Sequence, residues 1–166
     1  MYRIGDKVIY GIHGVCAIRD VETRTVDKKK IQYFVLEPIN SAADRFYVPA
    51  ENPAALAKLR HIISRPELDA LLTSDEIRQN CWIVDENHRK QRYRELISSA
   101  DRCALLQMIH TLHIHKREQV EAGRKFHLCD ENFLRDAERL LNSEFSLVLE
   151  IEPDSVGPYI RSLWEK

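Results

Sequence analysis

Apolar and polar residues alternate with a period near two over residues 3–48, a spacing typical of β-strands. Four stretches rich in β-branched and aromatic residues follow this pattern, at residues 8–10, 15–18, 31–36 and 45–48. Glycines or short polar segments separate them, as expected of turns between antiparallel strands. Because so few short strands bury a hydrophobic face best by curling, we predict a small antiparallel β-barrel of the Tudor or SH3 type.

The apolar spacing lengthens to three and four residues after Pro49, which ends the last strand because proline has no backbone N–H for the ladder. This longer period is that of amphipathic α-helices, and a final short helix is predicted at residues 159–164. Residue types that cap helices stand before the apolar runs, at Ser64, Asp85, Asp101 and Asp130. The chain is therefore predicted to be an α+β protein whose C-terminal part is an all-α domain of about five helices.

These changes of pattern divide the chain into three predicted parts. Residues 1–52 form the barrel, residues 53–63 a linker, and residues 64–166 the helical domain. The chain of 166 residues is 44% apolar and 31% charged, a composition typical of globular proteins that are neither disordered nor embedded in membranes. The N-terminal sequence lacks the apolar core of a signal peptide, so we expect a cytoplasmic protein without membrane contact.

Candidate catalytic and metal-binding residues are sparse. The four cysteines are scattered without a C-x-x-C pair, a distribution that favours reduced thiols over disulfides or zinc. His110, His113 and His115 are the densest group of potential ligands, but on a helix His115 leaves the face that the other two share. Neither a glycine-rich phosphate-binding motif nor an H-E-x-x-H motif occurs. We therefore predict a protein that is not an enzyme and that binds no metal or cofactor.

The strongest candidate for a binding surface is the basic stretch at residues 82–94, WIVDENHRKQRYR. It begins with Trp82, and no acidic residue separates its cations, which are Arg89, Lys90, Arg92 and Arg94. On a helix Lys90 and Arg94 lie four residues apart and repel each other by about 0.2–0.5 kcal/mol, a cost that an anionic partner would remove. Two interpretations remain: a solvated amphipathic helix with a partly buried tryptophan, or a phosphate-binding helix with an aromatic residue at its entrance.

Four motifs in the predicted barrel carry a resemblance to a known family. They are GDKVIYGIHGV at residues 5–15, ETRT at 22–25, YFVL at 33–36 and VPAEN at 48–52. In order and spacing they closely resemble the CarD/CdnL family of bacterial transcription regulators, and also the RNA polymerase-interacting domain of transcription-repair coupling factor. A looser similarity continues through the helical part to about residue 149.

The resemblance implies a barrel that binds the β subunit of RNA polymerase. An exposed edge strand offers unpaired backbone groups for strand addition, so we expect binding through the edge that carries the ETRT motif. Arg24 is the principal predicted polymerase-binding side chain. The other predicted residues are Glu22, Thr23, Arg45 and Tyr47.

The resemblance also implies a helical domain that contacts promoter DNA at the edge of the melted region, without reading sequence. Trp82 is the predicted minor-groove wedge. The residues predicted to bind the phosphate backbone are Arg89, Lys90, Arg92 and Arg94. Such a protein would be a bacterial, monomeric regulator that reaches the nucleoid through RNA polymerase and shifts open-complex stability. The alternative function is a protein–protein adaptor with the same barrel and no DNA contact.

Overall fold

The alternating stretches form a five-stranded antiparallel sheet in the structure, a computed structural model that describes residues 2–41 and 43–164. The chain divides into two units, Met1–Ile62 and Ile63–Lys166. The described residues of the first unit form one short α-helix and five strands: α1 (Pro53–Leu56), β1 (Lys7–Tyr10), β2 (Val15–Val26), β3 (Lys29–Pro38), β4 (Phe46–Pro49) and β5 (Leu59–His61). The strand order in the sheet is β4-β3-β2-β1-β5.

Strands β2 and β3 form a long hairpin that turns at Asp27 and Lys28. Both turn residues have positive φ angles, 49° and 65°, as a two-residue type I′ turn requires. A bulge lies between Ile18 and Asp20, where the register of β2 against β3 shifts. The hairpin beyond this bulge extends past the short strand β1, whose pairing with β2 ends at Ala17.

Side chains from both ends of the sheet meet in one apolar cluster, which shows that the sheet is strongly curled. Val48 in β4 and Leu59 in β5 belong to the same buried cluster, although their strands are at opposite ends of the sheet. Tyr10 in β1 and Phe46 in β4 likewise approach to 5.5 Å between ring centroids. The predicted antiparallel architecture is confirmed, but within the described residues no backbone ladder joins β4 to β5.

The segment predicted as a linker, residues 53–63, is instead largely part of the first unit. The Asn52 side chain accepts hydrogen bonds from the N–H groups of Ala54 and Ala55, which starts α1. Strand β5 then pairs with β1, with Leu59 opposite Tyr10. The linker prediction was wrong here because a three-residue strand is too short to show a period, and its pairing depends on residues distant in sequence.

In residues 63–164 the second unit forms five α-helices, in agreement with the predicted all-α domain of about five: α2 (Arg65–Leu72), α3 (Glu86–Ser99), α4 (Arg102–Glu121), α5 (Leu128–Leu149) and α6 (Val156–Trp164). Their apolar faces surround a core in which Leu72, Leu112 and Phe145 are fully buried. None of the helices in the described ranges is both long enough and apolar enough to cross a membrane.

Side chains start three of these helices as the sequence predicts. Ser64 and Glu67 form a capping box at α2. Asp85 and Asp101 accept hydrogen bonds from backbone N–H groups in the first turns of α3 and α4, both at 2.9 Å. Asp130 does not cap α5, which begins two residues earlier; it is buried inside the helix with 1% of its surface exposed.

Candidate functional site

One edge of the long hairpin is open. Strand β1 covers β2 only from Val15 to Ala17, and hydrogen bonds with the segment before β1 extend this cover to Ile18. From Asp20 to Val26, β2 pairs with β3 on one side and has no strand partner on the other within the described residues. The predicted open edge is therefore present, and the ETRT motif lies on it.

The turn geometry determines which backbone groups point out of this edge. A two-residue hairpin closes on a hydrogen-bonded pair, here Val26 and Lys29. Hydrogen-bonded and non-hydrogen-bonded pairs alternate along an antiparallel ladder, so Thr25 and Thr23 occupy non-hydrogen-bonded positions. Their N–H and C=O groups therefore point away from β3, toward the open side.

A hydrogen bond on the other side of β3 supports this assignment. Gln32 is the partner of Thr23 across the ladder, and its carbonyl oxygen accepts a 2.9 Å hydrogen bond from the N–H of Ala50. Ala50 follows β4, on the side of β3 opposite to β2. The Gln32 carbonyl thus points away from Thr23, as a non-hydrogen-bonded pair requires.

Three predicted polymerase-binding side chains form an exposed cluster beside the open edge: Glu22, Arg24 and Tyr47, called here the Arg24 cluster. The Arg24 guanidinium donates a 3.2 Å hydrogen bond to the Glu22 carboxylate and lies 4.1 Å from the centroid of the Tyr47 ring. The hydrogen bond to Glu22 is the main cause that raises the pKa of Arg24. Ionic and ring contacts together hold an exposed cation in one place.

The other two predicted polymerase-binding residues lie outside this cluster. Successive residues of a strand point to opposite faces, so Thr23 faces away from Glu22 and Arg24. Arg45 is exposed one residue before β4, and in the described part of the chain it forms no ion pair or ring contact. Thr23 thus contributes backbone groups to the edge.

This curled sheet with its long hairpin corresponds to a known domain family. Residues 2–63 match the family model of the CarD-like/TRCF RID domain. This part of the chain is similar to CarD-like domains. The matched family is one of RNA polymerase-interacting domains rather than of enzymes. The match includes α1 and β5, in agreement with the pairing of β5 with β1.

C-terminal to the CarD-like domain, the structure corrects the prediction for Arg89. Only 4% of this residue is exposed. Its Nε and Nη2 atoms donate to the two carboxylate oxygens of Asp130, at 2.9 and 3.1 Å, and its Nη1 atom donates to the carbonyl oxygen of Ile83 at 3.0 Å. Arg89 therefore joins α3 to α5 inside the second unit and is not part of an exposed basic face.

The Trp82 side chain also packs against other residues of the helical unit. Its ring stacks on the His115 ring, with centroids 3.6 Å apart and planes 15° from parallel. The guanidinium of Arg89 lies 4.4 Å from the same ring, and the half-buried indole packs against the helical core. A ring held in this way is not free to insert between base pairs, so its position does not support the predicted wedge role.

Acidic neighbours on the same helix compensate two of the remaining cations of the basic stretch. Lys90 Nζ lies 2.9 Å from a carboxylate oxygen of Glu86, which raises the pKa of Lys90. Arg92 lies 3.7 Å from Glu95. Arg94 is exposed and forms no ion pair within residues 2–41 and 43–164. The repulsion predicted between Lys90 and Arg94 is therefore offset, and the exposed cations of α3 are Arg92 and Arg94.

The three histidines of α4 have separate neighbours. His113 lies 2.6 Å from Glu138, His110 makes an edge contact with the Trp164 ring, and His115 stacks on Trp82. Across the described ranges, no three His, Cys, Asp or Glu side chains are grouped closely enough to hold a metal ion. These histidines therefore belong to packing and surface contacts of the helical unit.

Acidification is expected to destabilise the protein partly through His115. Burial is the main cause that lowers the pKa of His115 below its ordinary value. The folded state thus favours the neutral ring. This preference stabilises the folded state in full above the unfolded pKa of about 6.5. The stabilisation is lost as the pH falls from that value through the lower folded pKa. Urea unfolding at about pH 5.5 and about pH 7.5 measures this difference. His115→Phe keeps an aromatic ring that cannot be protonated, so its stability should change less; an unchanged pH dependence would contradict this role.

Proposed function

We propose that this protein is a transcription regulator that binds the β subunit of RNA polymerase through the open edge of β2. The observation that carries the proposal is the position of the outward-pointing backbone groups of Thr23 and Thr25 next to the Arg24 cluster. An extended segment of the polymerase can pair with these groups as an added strand. The CarD-like domain then gains main-chain hydrogen bonds without a change in its own fold.

Arg24 adds a side-chain contact to this strand pairing. Its guanidinium is already held by Glu22 and by the face of Tyr47, so binding immobilises little further side-chain freedom. A guanidinium presents several N–H donors in a fixed plane, and Glu22 engages only part of them. The remaining donors suit carbonyl or carboxylate oxygens of the added strand.

Charge reversal at Arg24 should test the proposal. Arg24→Glu removes the donors and places a second carboxylate beside Glu22, so we expect its affinity for an isolated β-lobe fragment to fall by about tenfold or more, about 1.4 kcal/mol. Lys58→Glu makes the same charge change at an exposed residue between α1 and β5 and should bind as the wild type does. Equal binding by Arg24→Glu and the wild type would overturn the assignment.

The helical unit is proposed to contact promoter DNA without sequence readout. The exposed cations of α3, Arg92 and Arg94, suit phosphate contacts, which make affinity fall as salt rises. A regulator that binds the open complex more tightly than the closed one shifts that equilibrium only by its differential affinity, and about 1.4 kcal/mol changes the ratio tenfold. Open-complex stability is therefore the proposed output.

A specific observation favours the adaptor as the second candidate function. The basic face of α3 is smaller than predicted, because Arg89 is internal and Lys90 is paired with Glu86. An adaptor would bind RNA polymerase through the same edge and would show no salt-dependent affinity for DNA. Titration of promoter DNA at several salt concentrations separates the two functions.

A further inference from the structure

A cavity of about 940 Å³ lies between helices α4, α5 and α6 of the second unit. Its floor includes Leu106, Leu141 and Phe145, which are buried, and its outer part includes Val120, which is 63% exposed. Sites for small organic molecules typically have volumes of about 300–1,000 Å³ and are lined mainly by apolar and aromatic side chains. Among the described residues, those that line this cavity include none of the side chains proposed to contact polymerase or DNA. The cavity is therefore a candidate for a separate binding site.

The unequal lengths of two helices explain why the cavity stays open. α4 has 20 residues and α6 has nine, which correspond to about 30 Å and about 14 Å of helix. The α4 residues that line the cavity recur at three- and four-residue steps between Leu106 and Glu121, so they form one continuous face. α6 is too short to cover this face along its whole length. Gly157 of α6 also leaves space, since a Cβ atom added there would meet no atom of the surrounding protein within 4 Å.

One lining residue is a tryptophan whose ring is held in place. The Nε1 atom of Trp164 donates a 3.0 Å hydrogen bond to the carbonyl oxygen of Leu72, the last residue of α2. The guanidinium of Arg78 lies 5.4 Å from the centroid of the same ring. Because the indole N–H is already satisfied inside the protein, the part of the ring that lines the cavity offers an apolar aromatic surface. Such a surface suits a flat aromatic ligand.

His110 supplies a hydrogen-bonding group next to this tryptophan. The two rings meet edge to face, with centroids 5.3 Å apart and planes at 87°. Burial is the main cause that lowers the pKa of His110 below its ordinary value, so the ring is neutral at pH 7. A neutral imidazole has one nitrogen that donates a hydrogen bond and one that accepts. His110 therefore suits a ligand that carries an O–H or N–H donor.

The charges of the lining residues favour an uncharged ligand. Three of these residues are cations and three are acids: Lys116, Arg117 and Arg161, and Glu121, Glu138 and Asp154. One charge of each sign is already engaged, since Lys116 pairs with Glu131 and Glu138 lies 2.6 Å from His113. Two cations and two acids remain, so the lining has no excess charge that would attract an ion of either sign.

We infer that this cavity binds an uncharged aromatic small molecule that carries a hydrogen-bond donor. The aromatic ring packs against Trp164 and the buried floor, where it is removed from water. The donor binds the accepting nitrogen of His110, which selects ligands that have such a group. The floor reaches the fully buried Phe145, so the cavity favours a small molecule over a protein helix that lies across its opening. The site does not depend on the proposed polymerase or DNA contacts.

The test is an NMR titration of the full chain, labelled at its isoleucine, leucine and valine methyl groups. The probe is 2-naphthol, an uncharged two-ring molecule with one O–H group. Saturable shifts are expected at the methyl groups of Ile109, Val120 and Ile160, which line the cavity, and not at those of Val84 and Leu128, which are exposed outside it. The second probe, 2-methoxynaphthalene, has the same rings without a donor and should bind about fivefold more weakly.

Two variants assign the binding to this cavity. His110→Phe keeps an aromatic ring and removes the acceptor, so its affinity for 2-naphthol should fall about fivefold while its affinity for 2-methoxynaphthalene stays unchanged. Val120→Asp places a charge beside the apolar ligand and should weaken both probes about threefold. Val84→Asp is the matched control, because it makes the same change at an exposed valine outside the cavity, and it should weaken neither probe.

Three results would overturn the inference. The first is 2-naphthol binding that does not saturate, or that shifts the Val84 and Leu128 methyl groups as much as those of the cavity. The second is an unchanged affinity of both His110→Phe and Val120→Asp for 2-naphthol. The third is a set of cavity methyl groups that respond to core RNA polymerase but not to 2-naphthol, because the groove would then belong to a protein partner.

Discussion

Asp130→Ala should lower the free energy of unfolding of the helical unit by about 3–5 kcal/mol, because it leaves a buried arginine without its counter-charge. The side chains of Arg89 and Asp130 are only 5% and 1% exposed, and two hydrogen bonds join them. The substitution would also loosen the hold of Arg89 on the segment before α3. Urea unfolding followed by helical circular dichroism measures the change.

Asp136→Ala is the matched control for this experiment. Asp136 is also an aspartate of α5 and pairs with an arginine, but its side chain is 49% exposed and lies 3.7 Å from Arg139. An exposed pair of this kind contributes about 0–1 kcal/mol, so the control should unfold almost as the wild type does. Similar small losses in both variants would show that the Arg89–Asp130 pair is not a principal support of the helical unit.

Thr23→Pro should reduce affinity for the polymerase β lobe by about 100-fold, or about 3 kcal/mol. Proline removes the N–H that points out of the open edge and places a ring where the added strand would pair. The ladder between β2 and β3 should survive, because Thr23 occupies a non-hydrogen-bonded position in it. Binding of the full chain to the β-lobe fragment gives the measurement.

Thr23→Ala separates the backbone from the side chain at this position. It keeps the outward N–H and removes only the hydroxyl and methyl groups, so it should bind within about threefold of the wild type. The melting temperatures of both variants report whether the hairpin is intact. A Thr23→Pro protein that is folded and binds normally would rule out strand addition at this edge.

Local patterns were sufficient to predict much of this fold. The capping functions of Ser64, Asp85 and Asp101 follow from residues within one helical turn, and the structure confirms each of them. The alternating apolar residues of β2 and β3 likewise indicate their own strands. These features depend only on residues that are close in sequence, so they can be predicted from the sequence alone.

Pairings between distant residues were not predictable in the same way. Arg89 looked like part of a basic face because its partner Asp130 lies 41 residues away. The sequence left open whether Trp82 is partly buried or a wedge, because His115, on which it stacks, lies far along the chain in α4. The sequence nevertheless contains one usable signal: an arginine occupies the helix position where Val84 would usually find an apolar partner.

Amide hydrogen exchange at Thr23 and Thr25 tests the central proposal most directly. In the free protein both amides should exchange rapidly, because they point away from β3, whereas the Arg24 amide should already be protected by the ladder. Binding to core RNA polymerase should slow exchange at Thr23 and Thr25 by about tenfold or more, as an added strand takes up their N–H groups. Unchanged exchange at both residues in a complex that has demonstrably formed would contradict the account.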